Sequence, residues 1–270
     1  MTASWLLALA ALALIAVLSL ATWVASLVRR DASLVDRMWP VFIGATALLC
    51  WSRLPAPGIR ADGMLALALA WALRLAVYIT RRNWGHGEDR RYQAIRARNE
   101  PNFGLKSLYL VFALQALLAW IVAAPFLAGM AGARSFGVLD ALGAAIAAFG
   151  IAFEAIADAQ MGRFKADPAS KGRVMDRGLW RHTRHPNYFG EACVWWGLAL
   201  MAVSGAGLPG AWSLVSPLLM TVLLLKVSGV GLLEKDIAER RPAYRDYVER
   251  TPAFVPGRRR SPRSSSRTRA

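Results

Sequence analysis

The sequence predicts an all-α membrane protein with seven transmembrane helices. Hydrophobic residues make up 56% of its 270 residues and charged residues only 19%, which is more apolar surface than one soluble core needs. Several apolar stretches approach the roughly 20 residues that a helix needs to span a bilayer. The predicted spans are residues 5–28, 34–51, 63–80, 107–130, 137–157, 188–203 and 211–233.

We expect residues 1–256 to form a single membrane domain and residues 257–270 to be a disordered basic tail. The tail is rich in Arg and Ser and lacks the apolar residues that a packed core requires. The first span is longer than the apolar core of a signal peptide and has no basic segment before it, so we interpret it as a retained span.

Membrane topology, rather than nucleic-acid binding, explains the formal net charge of +16. Most of the 33 Lys and Arg residues lie near the first, third and fifth connections and in the C-terminal segment. Only Arg53, Arg60 and Arg134 lie in the other connections. Because cytoplasmic loops are enriched in Lys and Arg, this distribution predicts an N-terminus outside and a C-terminus in the cytoplasm. The long polar segments would then face the compartment that contains nucleotide cofactors.

Neither the cysteines nor the histidines predict a metal site. Cys50 and Cys193 both lie in apolar runs, so no disulfide is implied either. The three His residues do not follow the spacing of metal ligands.

The second span begins with an acidic residue, Asp36, beside Arg37 and Trp39. Two roles are open for Asp36: an interfacial ion pair next to a Trp anchor, or a group of the active site.

The third span contains a charged residue, Arg74, with Tyr78 one turn later on the same face. A charge at that depth costs roughly 3 kcal/mol on insertion scales, so Arg74 should face the helix bundle and an acidic partner. Candidate partners are Asp36, Glu154 and Asp158. A structural ion pair and a contact with a ligand are both open.

The third connection, residues 81–106, is too polar to span a membrane and too aromatic for a plain linker. We expect part of it to fold over the cytoplasmic mouth of the bundle, and the alternative is an interfacial helix on anionic lipid. His86 lies between two Gly residues and is interpreted as a loop residue rather than a catalyst.

The fifth span combines a small-residue face with two acids. Gly143, Ala147 and Gly150 predict close helix packing. Glu154 and Asp158 follow one turn apart on one face, and they repel each other unless donors are near. Those donors are either the ribose hydroxyls of a ligand or the nearby cations Arg163, Lys165, Lys171 and Arg173.

Residues 178–191 read Gly-Leu-Trp-Arg-His-Thr-Arg-His-Pro-Asn-Tyr-Phe-Gly-Glu and precede an apolar run. The residue before a proline avoids the helical conformation, and proline suits the first helical position, so a helix should begin at Pro186. Asn187 and Glu191 then lie one turn apart on one face. The N–H groups of this first turn and the helix dipole favour a phosphate, and the upstream Arg residues add positive charge. We therefore expect a phosphorylated cofactor here.

The C-terminal segment, residues 234–254, has the pattern of an amphipathic helix with an extended exit. We expect it to pack against the cytoplasmic mouth.

The stretch 178–191 resembles the C-terminal signature of the steroid 5-alpha-reductase family (3-oxo-5-alpha-steroid 4-dehydrogenase C-terminal domain type), and is most similar to its bacterial branch. The resemblance covers residues 137–254 and extends more loosely to residues 36–39 and 81–92. It implies a seven-helix protein of the bacterial inner membrane that binds NADPH from the cytoplasmic side. It also implies hydride transfer to an activated carbon–carbon double bond of a lipid-soluble substrate.

The resemblance assigns the cofactor contacts residue by residue. The matching positions are Asp158, Lys165, Asn187 and Glu191, with Glu154 and Arg74 as additions. The predicted cofactor site is completed by Arg163, Arg184, His185 and Tyr188. The basic residues near Arg163 predict NADPH rather than NADH, because the 2′-phosphate needs a cation.

The sequence departs from the family on the substrate side. The steroid reductases hold the substrate carbonyl with a Glu of the second span and a Tyr of the third. Here the second span has only Asp36, and Trp71 stands where the Tyr is expected, with Tyr78 two turns later. Asp36 and Tyr78 are therefore the predicted substrate-side catalytic groups. The expected substrate is a lipid-soluble enone or another unsaturated, isoprenoid-like lipid rather than a steroid.

Two alternatives belong to other functional classes. Membrane methyltransferases that use S-adenosylmethionine also have an Arg-His-Pro signature and a C-terminal Glu, Tyr and Pro, here Glu234, Tyr244 and Pro252. A non-catalytic lipid-binding protein is the other alternative. The complete Asn-Tyr-Phe-Gly-Glu ending favours the reductase.

Overall fold

The computed structural model describes residues 2–227 and 243–259. Every regular element in these residues is a helix. Seven of the helices are long and apolar enough to cross a membrane, so the predicted helical protein with seven membrane spans is confirmed at this level. The orientation of the termini stays a prediction.

The nine principal helices of the described residues include two, α4 and α9, that are too short and polar to span. Their bounds are α1 Thr2–Arg29, α2 Leu34–Ser52, α3 Ile59–Arg82, α4 Arg90–Asn99, α5 Phe103–Gly129, α6 Val138–Ala166, α7 Pro186–Ala206, α8 Leu208–Lys226 and α9 Ala243–Arg250.

The chain forms two compact units. The first comprises Met1–Ala147 and Trp195–Leu218, and the second comprises Ala148–Val194 and Leu219–Ala270. The boundaries fall inside α6, α7 and α8, so each of these helices contributes residues to both units.

The core of the first unit is an aromatic cluster around Trp71. Its indole is fully buried and packs edge-to-face on Trp195, with ring centroids 5.1 Å apart, and on Trp39, at 6.3 Å. Trp195 in turn packs on Phe126 at 6.2 Å. The aromatic cluster thus joins four helices, and Trp71 contacts two of the other three directly, which explains why a large apolar ring stands at this position.

A buried ion pair links the beginning of α3 to the beginning of α6 in the first unit. Arg60 Nε lies 2.6 Å from Asp140 Oδ1. Ser204 Oγ donates to the same carboxylate at 2.7 Å, and the guanidinium of Arg60 also donates to backbone carbonyls. Because every partner is hydrogen-bonded, the cost of burying the two charges is largely offset. Arg60 was predicted to lie in the second connection, and the structure places it in the first turn of α3.

In α6 and α7 the backbones are in direct contact. A Cβ added to Gly150 would lie 2.5 Å from the carbonyl oxygen of Gly190, in the second unit. In the first unit, a Cβ on Gly143 would lie 2.6 Å from the carbonyl oxygen of Gly197. The predicted small-residue face of α6 is confirmed, and its partner is a second glycine pair on α7, spaced by the same two turns.

Two residues near the end of the described chain make hydrogen bonds. The Gly257 N–H donates to the His182 carbonyl at 2.9 Å and Arg259 Nη2 donates to Asp176 Oδ2 at 2.7 Å. The disordered tail stays a prediction. Residues 260–270, and the predicted helical stretch 228–242, lie outside the described residues.

Gly150→Ala should destabilise the protein, since the new methyl group overlaps the α7 backbone and overpacking costs about 1–3 kcal/mol. Gly162→Ala on the same helix is the matched control, because nothing lies within 4 Å of its Cβ position. Alanine there should be neutral or stabilising. Thermal unfolding in detergent compares the two, and equal midpoints would contradict the packing.

Candidate functional site

The segment 178–191 is fastened to the last turns of α6 in the second unit. The Leu179 N–H donates to Gln160 Oε1 at 3.0 Å, and Trp180 Nε1 donates to the Ala157 carbonyl at 3.0 Å. Gly178 has φ +56, and a Cβ there would lie 2.5 Å from the Gln160 side chain. The positive φ favours glycine at this turn, and a larger residue would also displace the Gln160 side chain from its hydrogen bond with Leu179.

The C-terminal residues 251–257, which we call the C-terminal strap, are hydrogen-bonded to this segment. The Arg184 N–H donates to the Pro252 carbonyl at 2.9 Å. Thr183 Oγ1 donates to the Phe254 carbonyl at 2.8 Å. The strap thus runs beside residues 182–184. The expected packing of the C-terminal segment, residues 234–254, against the cytoplasmic mouth stays a prediction.

Arg184, which was predicted to contact the cofactor, donates hydrogen bonds to backbone carbonyls at the end of α9. Its Nη1 donates to the carbonyls of Val248 and Thr251, at 2.9 and 2.7 Å. A cation suits this position because the last carbonyls of a helix lack intrahelical partners. Tyr247 supports the same end of α9 by donating from its hydroxyl to the Trp180 carbonyl at 2.5 Å.

The predicted helix start is confirmed, because α7 begins at Pro186. The expected group of free N–H donors is smaller than predicted. Pro186 has none, and the Tyr188 and Phe189 N–H groups both donate to the His185 carbonyl at 3.1 Å. Asn187 therefore supplies the one N–H of this first turn that makes no hydrogen bond to a described residue. An anion here must depend mainly on side-chain cations.

His185 and Tyr188 form a stacked aromatic pair beside this turn. Their rings are nearly parallel, with centroids 5.3 Å apart. His185 is buried, whereas Tyr188 and Asn187 are half-buried.

Among the described residues of the second unit, three carboxylates are buried: Glu154 and Asp158 on α6, and Glu191 on α7. The contact between α6 and α7 places Glu154 and Glu191 at the same level. A Cβ on Gly190, the residue before Glu191, would lie 3.0 Å from the Cβ of Glu154. Buried carboxylates require protons, cations or hydrogen-bond donors. Within the described residues, no group of three or more His, Cys, Asp or Glu side chains has a geometry that could hold a metal ion.

The predicted cations lie at the surface. Arg163 and Lys165 are exposed on the last turns of α6, and Lys171 and Arg173 are exposed in the loop that follows. Cations also suit a helix C-terminus electrostatically, so a stabilising role and a phosphate-binding role are both consistent with this position.

Asp36, in the first unit, accepts two hydrogen bonds. Tyr92 Oη donates to Asp36 Oδ1 at 2.6 Å, and Arg91 Nη2 donates to Oδ2 at 2.9 Å. The neighbouring Arg37 instead lies 3.8 Å from Asp31, because consecutive residues of a helix point in different directions. The third connection therefore folds back onto the start of α2 through α4.

Tyr92 is the functional candidate that sequence reasoning missed. It is buried, and burial followed by the neighbouring Asp36 carboxylate raises its pKa well above the usual value, so the hydroxyl stays protonated at neutral pH. The only sequence signal was an aromatic residue in a loop that was expected to fold back.

The two remaining predicted residues lie on α3 in the first unit. Arg74 and Tyr78 are both half-buried, and Arg82 lies 5.6 Å from the centroid of the Tyr78 ring. The partner proposed for Arg74 stays a prediction.

Together these observations define a helical membrane protein with seven candidate spans and a buried acidic cluster beside a proline-started helix. The chain belongs to the DUF1295 family, described as "Protein of unknown function", whose model matches residues 22–251. It is 25% identical over 260 residues to an uncharacterized protein of Schizosaccharomyces pombe, covering 87% of this chain and 75% of that protein. No solved structure matches the chain.

Tyr247→Phe should loosen α9 and the C-terminal strap, because the buried Trp180 carbonyl loses its donor, at a cost of about 1–3 kcal/mol. Limited trypsin digestion should then cut faster after Arg245 and Arg250. Tyr109→Phe is the control, since Tyr109 is 61% exposed on α5. Equal cleavage of the two variants would contradict this role.

Proposed function

We propose that the protein is a membrane-embedded, NADPH-dependent reductase that transfers hydride to an activated carbon–carbon double bond of a lipid-soluble substrate. The observation that supports it most is the burial of Glu154, Asp158 and Glu191 in one compact unit with the 178–191 segment. The family resemblance assigns cofactor contacts to these same residues.

The chemistry of these residues fits a dinucleotide in part. Buried carboxylates accept hydrogen bonds from ribose hydroxyls, and the exposed Arg163 and Lys165 suit phosphate groups. The single N–H of Asn187 at the start of α7 adds one further donor. The stacked ring of Tyr188 offers an apolar surface for a base or a nicotinamide. The bound cofactor would supply the hydride.

On the substrate side, we assign Tyr92 in place of Tyr78 as the partner of Asp36. Reduction of an enone at its β-carbon builds negative charge on the carbonyl oxygen, which a fixed donor stabilises. Asp36 fixes the Tyr92 hydroxyl at 2.6 Å. To act as that donor, the Tyr92 hydroxyl would turn its hydrogen from Asp36 to the substrate carbonyl, while Arg91 stays hydrogen-bonded to the Asp36 carboxylate. Water must also be excluded from the surroundings of the substrate carbonyl.

S-adenosylmethionine is the second candidate cofactor. The observation in its favour is the hydrogen bond from the Arg184 N–H to the Pro252 carbonyl, which joins the Arg-His-Pro signature to the C-terminal proline. A membrane methyltransferase would use the same two segments. Glu234, the other residue of that pattern, lies outside the described residues.

A titration with NADPH, NADH and S-adenosylmethionine, read as thermal stabilisation of the purified protein, tests the cofactor. We expect NADPH to stabilise most. Arg163→Gln should weaken NADPH binding about tenfold, equivalent to ~1.4 kcal/mol, and leave NADH binding unchanged. Arg177→Gln, which removes an exposed cation from the following loop, is the matched control. Stronger stabilisation by S-adenosylmethionine would overturn the proposal.

Tyr92→Phe should lower turnover about 100-fold, as removal of an oxyanion donor does, without changing NADPH binding. The measurement is NADPH oxidation in the presence of isoprenoid α,β-unsaturated ketones. Tyr78→Phe is the companion variant and should have a much smaller effect. If Tyr78→Phe caused the larger loss, the catalytic tyrosine would be Tyr78, as the sequence predicted.

A further inference from the structure

A cavity of about 470 Å³ lies in the first unit, between the end of α1, the end of α4 and the start of α5. Candidate spans end at Arg29 and begin again at Phe103, so the cavity lies at the level where hydrocarbon gives way to lipid headgroups. Its walls are apolar on one side, with Leu27 and Phe103, and charged on the other.

Both signs of charge line this cavity. Arg30, Arg96 and Glu100 are among the residues that line it. Arg96 donates from Nε and Nη2 to Glu88 and lies 4.5 Å from the centroid of the Phe103 ring, which fixes its guanidinium and leaves Nη1 without a hydrogen bond to the described residues. The side chains of Arg30 and Glu100 make no hydrogen bond within the same part of the chain. One fixed cation, one adaptable cation and one carboxylate therefore face the same space.

Arg30 has an unfavourable backbone for an arginine. Its φ is +51, in the left-handed region that favours glycine. The Asp31 N–H donates to the Ser26 carbonyl at 3.1 Å and the Arg30 N–H donates to the Leu27 carbonyl at 3.4 Å. These two hydrogen bonds form a Schellman motif at the end of α1, in which the position of Arg30 is usually occupied by glycine. A long cation at a strained position points to a function for its side chain.

Exposed apolar side chains lie on the two membrane helices, α1 and α5, that contribute to the cavity wall. Val24 and Val28 on α1 are 50% and 81% exposed, and Leu105 and Tyr109 on α5 are 67% and 61% exposed. These residues occupy the same turns as the cavity wall and belong to candidate membrane spans. A ligand with a charged head and apolar chains fits a charged cavity bordered by exposed apolar residues.

We propose that this cavity binds the headgroup of an aminophospholipid of the phosphatidylethanolamine type. Its phosphate is held by Arg30 and Arg96, its ammonium donates to Glu100, and its acyl chains cover the exposed residues of α1 and α5. A purely anionic headgroup has no ammonium group that could donate to the Glu100 carboxylate. This binding site is separate from the residues assigned to the reductase activity.

The test is native mass spectrometry of the full chain in detergent with phosphatidylethanolamine, phosphatidylglycerol and phosphatidylcholine of identical acyl chains. We expect phosphatidylethanolamine to bind most tightly. Soluble glycerophosphoethanolamine should compete weakly. Equal binding of glycerophosphoethanolamine, or tighter binding of phosphatidylglycerol, would overturn the assignment to a membrane aminophospholipid.

Arg30→Gly separates binding from folding, because glycine relieves the strained backbone and removes the cation. Its unfolding midpoint should equal or exceed that of the wild type, while phosphatidylethanolamine binding falls about tenfold, the effect of losing one charge-assisted contact. Arg30→Lys should retain binding, and Glu100→Gln should abolish the preference for phosphatidylethanolamine over phosphatidylglycerol. Arg98→Gln, an exposed cation of α4 outside the cavity wall, is the control. Unchanged binding by Arg30→Gly would overturn the proposal.

Discussion

Direct contact between the backbones of α6 and α7 is the constraint on which the second unit depends. In a bilayer, apolar side chains gain little by leaving lipid, so helices associate through close packing and hydrogen bonds. Gly150 and Gly190 allow that packing because a side chain on either would overlap the other helix. The same contact sets the level of Glu154 and of Glu191, which follows Gly190 directly. The acids of the candidate site are therefore positioned by residues that have no side chain.

Many residues of the 178–191 signature have a structural task. Gly178 makes the turn, Trp180 and Thr183 donate to distant carbonyls, and Gly190 meets α6. A sequence signature can thus be long because the fold requires it as well as because chemistry does. Among the polar residues, Asn187 is the clearest candidate for a contact with ligand alone, since its N–H makes no hydrogen bond to the described residues.

The spans, the start of α7 and the small-residue face of α6 were predictable, because hydropathy, proline and glycine determine local structure within a few residues along the chain. Contacts over long sequence separations were not. The pairing of Asp36 with Tyr92 joins residues 56 apart, and that of Arg60 with Asp140 joins residues 80 apart. Local periodicity gives no information on either. The orientation in the membrane and the cofactor rest on charge distribution and resemblance, and both stay predictions.

The C-terminal strap also affects the order in which the protein matures. Translation delivers residues 182–184 well before residues 251–257, so the signature turn is synthesised, and its helix inserted, while its hydrogen-bond partners do not yet exist. Until then its buried carbonyls and hydroxyl must be hydrated or held by other proteins. These hydrogen bonds can consequently form only after residues 251–257 have been synthesised, and a polypeptide interrupted before Thr251 would lack them.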